Sequence, residues 1–98
     1  MKTVVITGSA RGLGFEMAKV FLQNSVNVVI SDLNEENLKK AKSDLKKIES
    51  DATVKYLVCD VTKKSDIEEL INYSKKAFNN IDIWINNAGV NQPNKAIW

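Results

Sequence analysis

The eight residues Thr7-Gly8-Ser9-Ala10-Arg11-Gly12-Leu13-Gly14 constrain this chain more than any other stretch. A short apolar run, Val4-Val5-Ile6, precedes them, and a helical pattern from Phe15 to Leu22 follows. Three glycines therefore stand where a strand turns into a helix. Glycine adopts backbone conformations that other residues avoid, and with no side chain it lets an anion approach the main-chain N–H groups. The helix behind it aims its positive dipole end and its unpaired N–H groups at that anion. The plainer reading is a glycine-rich turn with no ligand. The strand–turn–helix context is what favours a dinucleotide-binding loop.

Taken in order, the chain alternates strands and helices. Residues 3–7 read as a buried parallel strand, β-branched and without polar alternation. Residues 13–23 read as a helix with Leu13, Met17, Val20 and Phe21 on its apolar face and Ala18 beside it. Asn24-Ser25 breaks the pattern, and Asn24 is expected to take the left-handed cap conformation. A second strand covers residues 26–31. Asn34 then caps a helix from residue 35 to about 50, with Leu38, Ala41, Leu45 and Ile48 as its buried stripe. A third strand spans residues 53–58. The next helix runs from Lys63 or Ser65 to Phe78, with Ser65-x-x-Glu68 as a capping box and Ile67, Leu70, Ile71, Ala77 and Phe78 as its apolar face. A fourth strand spans residues 81–85, and residues 90–98 read as a loop. This order predicts an α/β fold: a Rossmann-like, three-layer, partial doubly wound parallel sheet with strand order 3-2-1-4.

Composition narrows the function classes. Lys+Arg number 14 against 12 Asp+Glu, a net charge of +2, too slight a bias to imply nucleic acid or an acidic membrane as partner. The second helix carries Lys39, Lys40, Lys42, Lys46 and Lys47, but acidic residues are interleaved, so a solvated face explains it. The 98-residue chain has no histidine, which excludes histidine acid–base catalysis and histidine metal sites. Its single cysteine, Cys59, rules out an internal disulfide and fits a reducing, cytoplasmic setting. The first strand is expected to start almost at Met1, so no targeting peptide is expected. No apolar run approaches the roughly 20 residues of a membrane span.

Three further markers sit at strand ends. Asp32 lies 18 residues after Gly14, where a carboxylate accepts hydrogen bonds from ribose hydroxyls; alone it reads equally as a turn aspartate. Such a carboxylate repels a 2′-phosphate. Two charges ~4 Å apart at an effective dielectric of ~20 interact by about 4 kcal/mol, enough to decide cofactor choice. Arg11 is a contrary signal, since a basic loop residue can approach a 2′-phosphate. Asp60-Val61 follows the third strand, and Asn86-Asn87-Ala88-Gly89 follows the fourth. Alone these read as a helix-leading turn and an Asx-type turn.

The spacing Thr-Gly-x-x-x-Gly-x-Gly, with these markers in this order, resembles the amino-terminal part of the short-chain dehydrogenase/reductase family. The resemblance covers essentially the whole chain. It implies that Asp60 accepts from the adenine amino group and that the Val61 amide meets a ring nitrogen. It also implies that the main chain of residues 87–89 faces the cofactor riboses while an asparagine amide braces the sheet. The residues expected to meet the cofactor are thus Gly8, Ser9, Arg11, Gly12, Leu13 and Gly14 of the loop, Asp32 with Leu33, Asp60 with Val61, and Asn87, Ala88 and Gly89. The cofactor is expected to be NAD rather than NADP.

The family's chemistry also needs a serine and a Tyr-x-x-x-Lys pair beyond the Asn-Asn-Ala-Gly stretch, and this sequence holds nine residues after Gly89. Tyr73-Ser74-Lys75-Lys76 is one residue short of that spacing and reads as a helix face. Tyr56 lies within a strand with no lysine after it. Cys59 has no histidine to pair with, and Glu35-Glu36 and Glu68-Glu69 read as helix N-terminal charges. No catalytic residue and no metal ligand is therefore assigned. The chain is expected to be one truncated NAD(P)-binding domain of an oxidoreductase lineage, inactive alone. The alternatives are a free-standing nucleotide-binding module, or one half of a split enzyme or interaction protein. A fourth strand left as an edge, with Ile81, Ile83, Trp84 and Ile85, is expected to drive self-association.

Overall fold

The structure, a computed structural model, describes residues 1–88; Gly89 and the expected loop over residues 90–98 lie outside them. The elements are β1 (Thr3–Thr7), α1 (Gly12–Gln23), β2 (Asn27–Asp32), α2 (Glu35–Leu45), β3 (Val54–Val58), α3 (Lys64–Phe78) and β4 (Ile83–Ile85). All strand pairs are parallel and the sheet order is β3-β2-β1-β4. This is the expected α/β sheet, with strand ends shifted by one or two residues. β4 is shorter than expected because Asp82 docks by other means: its N–H donates to the Thr3 carbonyl, and its carboxylate accepts from the Thr3 N–H at 2.9 Å.

The period of two along each strand sorts side chains into two layers. Val4, Ile6, Val28, Ile30 and Val54 face α1 and α2, where they meet Ala18, Leu22, Leu38, Ala41 and Leu45. Val5 and Val29 face α3 and meet Leu70 and Cys59. Every residue of β1 is buried, which explains its lack of polar alternation.

Helix α1 corrects its expected apolar face. Leu13 and Val20 are exposed, at 66% and 56%, while Gly14, Ala18 and Leu22 are buried; Met17 and Phe21 are only partly buried. The buried stripe is turned by about one residue, ~100° on a helix, because close packing on the glycine loop favours small residues over large ones. The turn after α1 is also corrected. Ser25, not Asn24, takes the left-handed conformation, with φ +60° against −102° for Asn24. Asn24 remains outside it and caps with its side-chain amide, which donates to the Val20 carbonyl at 2.7 Å.

Two helix boundaries differ as well. Asn34 caps α2 as expected, accepting from the Asn37 N–H at 2.9 Å. The helix ends at Leu45 rather than near residue 50, since Lys47 and Ile48 donate to carbonyls three residues back and tighten the chain into turns. The capping box at Ser65 does not form. Helix α3 starts at Lys64, between the two expected starts; Lys63 is its N-cap without a side-chain bond, and the Asp66 carboxylate accepts instead from the Asp60 N–H at 2.9 Å. Only Leu70 and Ser74 of α3 are buried; Ile67, Ile71, Ala77 and Phe78 are half-covered.

Candidate dinucleotide site

The glycine loop is held from behind by three strand ends. Gly8 has φ +63°, and a Cβ there would lie 2.9 Å from the Ala88 backbone. Gly14 has no unusual φ, but its Cβ would lie 2.5 Å from the Gly8 carbonyl oxygen and 2.7 Å from the Asn87 amide nitrogen. These two glycines therefore let the start of α1, the loop and the 87–88 backbone pack in contact. Gly12 differs: its φ is +66°, yet nothing lies within 4 Å of the Cβ position. The loop is filled behind and open in front of Gly12.

Thr7, Ser9 and Asp32 tie the loop together. The Thr7 hydroxyl accepts from both the Asn87 and Ala88 N–H groups at 3.1 Å, and the Asn87 amide donates to the Gly8 carbonyl at 2.8 Å. The side chain of Asn87 thus braces the loop against β4. Ser9 is fully buried; its hydroxyl donates to the Ile6 carbonyl at 2.7 Å and accepts from the Ser31 N–H at 3.0 Å. Asp32 accepts from the Ala10 N–H at 3.1 Å through one carboxylate oxygen and from the Leu33 N–H at 2.8 Å through the other. The Asp32 carbonyl also accepts from the Cys59 N–H, which links the end of β3 to the end of β2.

Helix α1 starts without a side-chain cap on Arg11 and without an acidic residue in its first turn, whereas α2 has both the Asn34 cap and Glu35-Glu36. The first-turn N–H groups of any helix lack intrahelical partners. Those of α1 thus keep both their hydrogen-bonding capacity and their dipole for an outside anion. Leu13 and Leu33, 66% and 67% exposed, flank this end of the sheet. Beside the loop lies a cavity of about 310 Å³, between Ala10, Arg11, Gly12 and Phe15 on one side and Asn37, Lys40, Ala41 and Asp44 of α2 on the other. Asn37 and Lys40 left no signal in the sequence, since only the tertiary approach of α2 brings them here. The Thr7 hydroxyl was legible as the threonine that opens the motif.

Asp60 and Val61 stand at the same end of the sheet but are tied to α3 rather than to the loop. The Asp60 carboxylate accepts from the Thr62 N–H at 2.9 Å and the Thr62 hydroxyl at 2.6 Å, and Val61 packs on the α3 side. Cys59 is 2% exposed, and burial pushes its thiol above the usual range, away from the thiolate a nucleophile needs. Burial likewise raises Tyr73, while Ser74 is fully buried and donates to the Leu70 carbonyl. The near-miss Tyr-x-x-Lys stretch is therefore part of a packed helix.

A family model described as short chain dehydrogenase matches residues 2–97. The chlorophyll(ide) b reductase NOL of Oryza sativa subsp. japonica is 43% identical over 88 residues, covering 90% of this chain and 26% of that protein. A diacetyl reductase [(S)-acetoin forming] of Staphylococcus epidermidis is 37% identical over 89 residues, covering 91% and 34%. Among solved structures, a short chain dehydrogenase from Mycobacterium smegmatis superposes with a TM-score of 0.84 at 31% identity, covering 88% of this chain and 36% of that one. An alcohol dehydrogenase from Thermococcus sibiricus, complexed with 5-hydroxy-NADP, gives 0.78 at 27%, covering 86% and 35%. The chain spans about a quarter to a third of the length of these curated relatives.

Proposed function

The chain belongs to the short-chain dehydrogenase family, and from that membership we propose that it is a nucleotide-binding unit that takes NAD through its adenosine and pyrophosphate. The observation that carries this reading is the contrast within the loop, packed behind Gly8 and Gly14 and open at Gly12 above an uncapped helix start. In this reading the pyrophosphate meets the main chain of Gly8, Arg11, Gly12 and Leu13, while Ser9 and Gly14, both buried, hold the loop from behind. Asp32 holds the adenosine ribose and Leu33 covers it. Asp60 and Val61 hold the adenine, and the main chain of Asn87 and Ala88 faces the cofactor riboses. The bound group supplies a nicotinamide hydride donor or acceptor. This chain's residues bind and orient it, and since no Tyr-x-x-x-Lys occurs in the sequence, the chain alone transfers no hydride.

NADP is the second reading, favoured by Arg11 and Lys40 on the cavity beside the loop. No helix among the described residues is long and apolar enough to cross a membrane. A reducing, cytoplasmic setting completes the proposal, resting on the single, buried cysteine. The β4 edge, which pairs only with β1 among the described residues, is proposed to join copies of the chain. A profile that stays monomeric as protein concentration rises would remove that part.

Titration with NADH, followed by tryptophan emission, tests the main proposal. Trp84 packs near the α3 side and donates its indole N–H to the Asn86 side chain at 2.8 Å. Saturable quenching, reversed by AMP and weakly by NADPH, is the expected result. Equal competition by NADPH would select the NADP reading, and no quenching with no calorimetric heat would overturn both. Tight binding by the chain alone favours a free-standing module. Copurification with a chain bearing Tyr-x-x-x-Lys favours a split enzyme.

A further inference from the structure

Asp32 is the last residue of β2, and three hydrogen bonds converge on it. Its carboxylate accepts from the Ala10 N–H at 3.1 Å through Oδ2 and from the Leu33 N–H at 2.8 Å through Oδ1, while its carbonyl accepts from the Cys59 N–H at 3.0 Å. One residue thus joins the glycine loop, the turn after β2 and the end of β3. Ala10 is 9% exposed, so water does not readily take the place of the carboxylate on its N–H. Among the described residues, Ala10 is also the last of the loop with a hydrogen bond to another element. After it come Arg11, the N-cap with no side-chain bond, and Gly12, at φ +66°.

We propose that Asp32 is a positioning residue for the anion-binding loop, a role separate from any bond to a ribose hydroxyl. The proposal rests on the nucleotide reading above. A carboxylate offers about four lone-pair sites; main-chain N–H groups take one on each oxygen, which leaves capacity for a sugar. The two roles predict opposite effects on a bound diphosphate. As a bare negative charge, Asp32 repels the phosphates, and its removal strengthens their binding. As the acceptor that fixes Ala10, it sets the direction of the N–H groups that follow. Its removal then weakens binding, because a loop free to rearrange must be ordered again when the anion arrives. Asparagine and alanine separate these effects. Both remove the charge, but only asparagine keeps an oxygen able to accept from the Ala10 N–H.

The test uses the whole chain, labelled with ¹⁵N, and two readouts. Without ligand, Asp32→Ala should speed hydrogen exchange of the Ala10 amide roughly tenfold more than that of the Val5 and Val29 amides, which open with the whole fold. Asp32→Asn should largely restore the Ala10 rate. The second readout is calorimetric titration with 2′,3′-dideoxy-ADP, which carries a diphosphate and no ribose hydroxyl for Asp32 to meet. Asp32→Ala should bind it roughly fivefold more weakly than Asp32→Asn, as loss of one hydrogen bond does. Equal affinity of the two variants, or Ala10 exchange that keeps pace with Val5 and Val29 in Asp32→Ala, would overturn the proposal. If the unaltered chain binds no dideoxy-ADP while Ala10 exchange responds as expected, the nucleotide reading falls and the positioning of the loop stands. Should Asp32→Ala not fold, the through-bond coupling between the Ala10 amide nitrogen and the Asp32 carboxyl carbon decides in the unaltered chain. Its presence supports the proposal and its absence removes it.

Discussion

The two faces of the sheet are built to different standards. The face under α1 and α2 holds a continuous core in which Leu38, Ala41, Leu45, Ala18 and Leu22 are all nearly sealed. The face under α3 seals Val5, Val29, Cys59 and Leu70 beside the polar Thr3, Thr7, Ser31 and Ser74, with Ile67, Tyr73, Phe78 and Trp84 left half-covered around them. Both faces use the same strands, but their alternate residues differ: Val4, Ile6, Val28, Ile30 and Val54 on one face, Thr3, Val5, Thr7, Val29 and Ser31 on the other. The difference lies in the strand residues and in the covering layer, which among the described residues is two helices against one. It teaches that the glycine loop is anchored on the well-packed face, through Gly14 and α1, while the other face has less to lose.

Core truncations break or sharpen this contrast most directly. Leu38→Ala should cost about 3–5 kcal/mol, since a sealed site relaxes poorly around the lost atoms. Leu70→Ala, equally buried but among half-covered neighbours, should cost about 2–3 kcal/mol. Urea unfolding of both variants measures the gap, and equal losses would show that the faces are energetically alike. Gly14→Ala should cost roughly 1–3 kcal/mol, as overpacking does, because its Cβ would lie 2.5 Å from the Gly8 carbonyl. Its effect should be larger than that of Gly12→Ser on stability and smaller on NADH affinity, which calorimetry resolves.

The thin face also gives a pH dependence. Burial raises the Cys59 thiol from its ordinary 9.0, so the unfolded chain ionises it first. The stability it contributes is complete below pH 9.0 and is lost as pH rises through the higher folded value. Cys59→Ala should flatten that alkaline decline in denaturant midpoint, and an unchanged slope would assign the decline to other groups. The smallest effect is expected at the turn after α1. Ser25→Gly should stabilise by about 0.5–1 kcal/mol, since a left-handed conformation costs serine more than glycine, and a calorimetric melt shows the sign.

Sequence periodicity failed where small residues decide packing. Helical spacing puts the apolar stripe of α1 through Leu13, Met17, Val20 and Phe21, the large residues. The buried stripe follows Gly14, Ala18 and Leu22, because the helix docks where it can come closest. The same holds for the cap of α3, where Asp66 reaches the Asp60 N–H and leaves the Ser65 pattern unused. Local signals describe what a residue can do, and competing partners decide what it does.

The sequence by itself determined the alternation of strands and helices, the sheet order, the glycine loop and the strand-end residues that surround it. These follow from properties carried within a few residues: β-branched runs, helical spacing and glycine at a turn. Only the tertiary structure decided which way α1 faces, through the close approach of Gly14 to Gly8 and Asn87. Tertiary contacts also bring Asn37 and Lys40 of α2 beside the loop. Those outcomes depend on distances between segments far apart in the chain, and no local pattern encodes such distances.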